Sequence, residues 1–68
     1  MGFRDMDLDD QVRAALRRDR HLARRRIEVS VRNGIVRLRG AVSGRLRRHA
    51  LGVARGVESV AVVVDEMG

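Results

Sequence analysis

The sequence predicts an α+β fold: a two-layer sandwich of element order α-β-β-α-β, with two helices packed on one face of a three-stranded mixed sheet. Three observations predict it. Residues 27–42 read I-E-V-S-V-R-N-G-I-V-R-L-R-G-A-V, two alternating apolar runs around an Asn33-Gly34 pair. Apolar residues recur at helical spacing on either side of that stretch. A valine-rich run, S-V-A-V-V-V, follows near the end.

The first helix is expected over about 8–19. Leu8, Val12, Ala15 and Leu16 fall at i, i+4, i+7 and i+8, one stripe of a helix. Asp7 suits the N-cap, Asp9 and Asp10 favour the helix dipole in the first turn, and Asp9 and Arg13 form an i,i+4 pair. An Arg-rich connection follows, with Leu22 turned inward. In the hairpin, period-two alternation buries Val29 and Val31 on one strand and Val36 and Leu38 on the next. Asn-Gly supplies the two positive-φ positions of a tight turn.

Ser43 is placed to cap a second helix over about 44–55, whose stripe is Leu46, Ala50, Val53 and Ala54, continuing to Val57. Gly52 weakens that helix by about 1 kcal/mol relative to Ala, which suggests close packing there. Gly56 is placed to end it in the left-handed conformation. The last strand is expected over about 58–64, with Val60, Val62 and Val64 facing the helices and 65–68 fraying. A helix between strands two and three sets those strands parallel.

Sixty-eight residues are expected to form a single domain, 1–68, with its core at about 8–64. Such a chain buries only about 60% of its unfolded surface. There is no Cys to staple it, so its stability rests on one aliphatic core. The net charge of +6 is unevenly spread. Residues 1–10 carry four Asp and one Arg; 11–57 carry fourteen Arg against Asp19 and Glu28; 58–68 carry three acids and no Arg. A basic block between acidic ends points to anionic partners: phospholipid head groups, nucleic acid or an acidic protein. No secretory signal and no membrane-length apolar run is visible. As written, the chain is expected to be cytoplasmic or peripheral to a membrane, and periplasmic were it excised from an exported protein.

Several features, in order, carry a family resemblance. They are Leu16-x-x-Asp19-x-x-Leu22, Ile27-x-Val29-x-Val31-x-Asn33-Gly34, Val36-x-Leu38-x-Gly40-x-Val42, the Ala50/Ala54 helix, and Gly56-Val57-x-x-Val60. Over roughly residues 8–64 the chain resembles a BON domain, a small bacterial module of osmotically induced envelope proteins, channel proteins and tandem lipoproteins. The resemblance implies an α/β sandwich that binds phospholipid membranes or serves as an attachment module, without catalytic activity.

The residues themselves offer little for catalysis. His21 and His49 have no Cys beside them for a zinc site, and read as surface residues. Ser43 is better explained as a cap than as a nucleophile, and neither GxxxxGK[ST] nor GxGxxG occurs. No enzyme, metal or cofactor is expected.

The arginines are the functional candidates. Arg17, Arg18 and Arg20 close the first helix, and Arg24 and Arg25 follow it. Arg45, Arg47 and Arg48 open the second helix and Arg55 closes it. With the helices side by side, these would form one surface for an anionic ligand, each Arg contributing about 1 kcal/mol near an anionic bilayer. The alternative is a protein-interaction or homodimer surface on the outer sheet face, formed by Ile35, Arg37, Ala61 and Val63. Nucleic acid is a third expectation, limited to phosphate contact: Phe3 is the only aromatic, so there is no stacking platform.

Overall fold

A computed structural model describes residues 3–68, with side chains from residue 5 onward. The elements are α1 (Phe3–Arg18), β1 (Glu28–Arg32), β2 (Ile35–Gly40), α2 (Gly44–Arg55) and β3 (Val62–Met67). The sheet order is β1-β2-β3, with β1 and β2 antiparallel and β2 and β3 parallel, so the sheet is mixed as expected.

The hairpin closes as its sequence dictates. Asn33 (φ 54) and Gly34 (φ 78) both take the left-handed conformation, and Arg32 pairs with Ile35 across the turn. Asp5, in the first turn of α1, grips that turn: its carboxylate accepts the Asn33 N–H at 3.0 Å and the Gly34 N–H at 3.2 Å. Helix α1 therefore starts four residues before the expected Asp7 cap, and its acidic first turn holds the hairpin. The residues that define the helix register, Leu8, Val12 and Leu16, are buried.

One core joins both layers. Leu8, Val12, Leu16 and Leu22 meet Val29, Val36, Leu38 and Val42, with Ala50 and Ala54 of α2 and Met67 of β3. Helix α1 lies over the β1 side of the sheet and α2 over the β3 side, each touching the other. Glycine is required at Gly40, where a Cβ would stand 2.6 Å from the Arg26 carbonyl oxygen as the chain enters β1. At Gly52 a Cβ would meet nothing within 4 Å, so this glycine serves no close packing.

The third strand departs from expectation in position and in facing. It runs to Met67 and starts at Val62, because Gly56 continues α2 in a right-handed conformation (φ −74) and the left-handed residue is Ser59 (φ 78). Val63 pairs with Val36, Asp65 with Leu38 and Met67 with Gly40. Val63, Asp65 and Met67 therefore share the helix-facing side with the fully buried Val36 and Leu38. Val62, Val64 and Glu66 lie on the outer face with Ile35, Arg37 and Arg39. Val63 is thus not part of the outer face, and Val62 and Val64 do not face the helices. A valine run that is apolar at both parities carries no facing information, and a slip of one residue inverts every side chain.

Candidate anionic-ligand surface

The path of the chain between α1 and β1 decides where the arginines stand. The Asp19 carbonyl accepts the N–H groups of Leu22 (3.1 Å) and Ala23 (2.8 Å), and the Leu22 carbonyl accepts that of Arg25 (2.9 Å). Leu22, only 2% exposed, plugs this turn into the core. The connection is therefore a pinned turn, and Arg20, Arg24 and Arg25 project from it exposed.

Asp19 also ties this turn to α2. Its Oδ1 accepts the His21 N–H at 2.9 Å and its Oδ2 lies 2.6 Å from His49 Nε2, while the His21 and His49 rings meet edge-to-face at 5.7 Å. Partial desolvation works to raise the Asp19 pKa. The bond to His49 and the His21 N–H outweigh it and hold the carboxyl below its usual range. The two histidines, expected as plain surface residues, thus form part of a clasp between the connection and α2.

The arginines of α2 separate by helical angle. Arg45, Arg48 and Arg55 follow 3- and 4-residue spacings on the exposed side, opposite the buried Ala50 and Ala54. Arg47 turns toward the sheet, where its Nε lies 2.6 Å from Asp65 Oδ2. The Asp65 carboxyl sits below its ordinary pKa: the Met67 N–H lowers it most, desolvation opposes, and Arg47 lowers it further. Arg47 is thereby the one residue of the nine candidates with a carboxylate partner among the described residues. Ser43 occupies the N-cap position of α2 but its hydroxyl makes no capping bond, and no acid stands in the first turn. Arg45, Arg47 and Arg48 near a helix N-terminus work against the dipole, so helix stability does not explain them.

On α1, Arg13 points to the β1 edge. Its Nε bonds Asp9 and its Nη2 donates to the Val29 carbonyl at 3.1 Å; the Asp9 bond raises its pKa. Arg13, Arg17 and Arg25 border one hollow on the flank of α1 at β1, away from the exposed stripe of α2. Arg18, on the last turn, is exposed. The nine candidates therefore do not form one continuous sheet of charge. They divide into the α1–β1 flank (Arg17, Arg25), the exposed turn (Arg20, Arg24) with Arg18, the α2 stripe (Arg45, Arg48, Arg55), and Arg47, which is paired with Asp65.

The outer sheet face mixes charge with apolar residues. Glu66 lies 3.7 Å from Arg39 and 4.0 Å from Arg37, while Ile35 (36% exposed) and Val62 (51% exposed) stand side by side at the hairpin end. Asp65 and Glu66, which organise Arg47, Arg37 and Arg39, escaped sequence reasoning because they follow the valine run and resemble a tail. Their one signal was Met67, an apolar residue two beyond Asp65.

Among the described residues there is no group of three His, Cys, Asp or Glu able to hold a metal ion, and no helix long and apolar enough to cross a membrane. The geometry is that of a small helix-on-sheet module with guanidinium groups exposed on its helices and on the turn after α1. The BON domain family model matches residues 4–67, essentially the whole chain, and the protein belongs to that family. Phospholipid binding is the role ascribed to the family. A comparison with curated proteins found no match.

Proposed function

We propose that the protein is a non-enzymatic module that contacts anionic phospholipid surfaces through its helical arginines. The observation that supports this most is the set of exposed guanidiniums on α1, the turn and α2 that have no carboxylate partner among the described residues. Unpaired cations keep their full attraction for an anionic bilayer, where each contributes about 1 kcal/mol. The absence of acid in the first turn of α2 leaves Arg45 and Arg48 uncompensated.

The test is co-flotation with vesicles containing phosphatidylglycerol, against phosphatidylcholine vesicles, at physiological salt. Four substitutions, Arg17, Arg18, Arg45 and Arg48 to Gln, are expected to weaken anionic-vesicle binding by about three orders of magnitude. Undiminished binding of that variant would overturn the surface assignment. Raising salt should weaken the wild-type interaction as screening shortens the Debye length.

A second reading has its own observation: Ile35 and Val62 stand exposed and adjacent on the outer sheet face. That face would dock a partner protein. Such docking persists in high salt and is removed by Val62→Lys.

A further inference from the structure

We propose that the hollow between α1, the turn after it and the β1 edge is a subsite for the phosphate ester of an anionic phospholipid, with Arg17 and Arg25 as its ligands. The proposal rests on the phospholipid reading above and places its point of specific contact.

The hollow encloses about 140 Å³ and is bordered by Arg13, Arg17 and Arg25 over an apolar floor that includes Leu16, Leu22 and Ile27. Its three guanidiniums differ in availability. Arg13 is committed to Asp9 and to the Val29 carbonyl, so it is a fixed wall that adds positive field. Arg17 and Arg25 have no carboxylate partner among the described residues and are exposed at the rim. Both are carried on ordered backbone: Arg17 on the last turn of α1, and Arg25 on the turn whose N–H groups are bound by Asp19 and Leu22. A guanidinium offers planar paired donors that match phosphate oxygens, and two converging from separate segments hold a phosphate better than one.

The floor selects among phosphates. Exposed Ala23 and half-buried Ile27, above the buried Leu16 and Leu22, offer no hydrogen bond to the remaining hydration of a bare inorganic anion. They do accept the glycerol carbons of a lipid phosphodiester, while its acyl chains remain outside a hollow of this size. The α2 stripe differs: Arg45 and Arg48 stand on the exposed side of the helix, where a bound phosphate stays in water and the attraction is weakest, and Arg55 is the single arginine at the hollow it borders with Val60, Ala61, Val62 and Val63. Among the described residues, concavity and two cations without a carboxylate partner coincide on the α1–β1 flank.

Two double variants of equal charge change separate this subsite from general attraction. Arg45→Gln/Arg48→Gln is expected to lose about 30-fold in affinity for phosphatidylglycerol vesicles, the general attraction of two cations, and Arg17→Gln/Arg25→Gln about tenfold more than that. Amide NMR of the wild type with monomeric dihexanoyl-phosphatidylglycerol should shift Arg17, Leu22, Arg25 and Ile27; inorganic phosphate at the same concentration should leave them in place. Native amide dispersion of each variant checks that it folds. Equal losses in the two variants would leave the phospholipid reading standing and overturn the subsite. Equal shifts with inorganic phosphate would reduce it to a bare anion site and likewise overturn it. No binding of the wild-type protein to anionic vesicles would overturn both.

Discussion

The Asp65 carboxylate of β3 lies 2.6 Å from the Arg47 guanidinium of α2, on the sheet face that carries the helices. Asp65 stands on the inward side of β3 with Val63 and Met67, and its contact withdraws Arg47 from the basic surface. A chain segment that resembled a frayed tail thus sets both the packing of the last strand and the composition of the candidate site.

Asp65→Asn should release Arg47 and raise the net positive charge by one. Affinity for phosphatidylglycerol vesicles is expected to rise about fivefold, while the urea midpoint falls. Flotation and equilibrium unfolding check the two effects on one sample. An unchanged affinity would mean that Arg47 does not reach the membrane when freed.

Two glycines should respond in opposite directions to Ala. At Gly40 the new Cβ would meet the Arg26 backbone carbonyl oxygen at 2.6 Å, an atom that cannot swing aside, so Gly40→Ala is expected to cost about 2 kcal/mol or more. At Gly52 the space is open and the helix gains, so Gly52→Ala should stabilise by about 0.5–1 kcal/mol. Urea unfolding monitored by circular dichroism decides both.

Asp5 holds the hairpin turn from 28 and 29 residues away. Asp5→Ala removes a charged acceptor from two backbone donors, and should destabilise the protein by about 1–2 kcal/mol. Hydrogen exchange at Asn33 and Gly34 should accelerate more than at Val36. Uniform acceleration would show that the turn opens only by global unfolding.

Acid should loosen the fold through Asp19 and Asp65. Both carboxyls lie below their ordinary value of 3.8 in the folded protein. As pH falls, the unfolded chain takes up protons first. The stability these groups supply is therefore full above about pH 5, begins to fall near 3.8, and is lost once pH passes their folded values. Unfolding midpoints between pH 6 and pH 2 should follow that course, with a shallower decline in Asp65→Asn.

Much of the fold is legible in the residues because local physics specifies it. Asn33-Gly34 demands the turn it makes, the alternation around it has one solution for β1 and β2, and Ala50 with Ala54 marks the buried side of α2. The start of α1 was not legible: Asp7 looks like a cap, yet the helix runs on to Phe3 because Asp5 finds two donors in the hairpin. The arginines of the candidate surface are visible in the sequence by type, and the structure leaves all but Arg47 exposed. Their partition was not legible, since an exposed cation looks the same in sequence whichever flank it stands on.

By itself, the sequence determined the element order, the hairpin register, the aliphatic core of helices and hairpin, and the basic middle of the chain. Each follows from residue type and from spacing within a few positions. Only the tertiary structure decided the facing of β3, the pairing of Arg47 with Asp65, the Asp19–His49 clasp, and the gathering of Arg17 and Arg25 around one hollow. The physical reason is that these depend on contacts between segments distant in the chain. Such contacts are selected by the packing of the whole core, and local propensity carries no record of them.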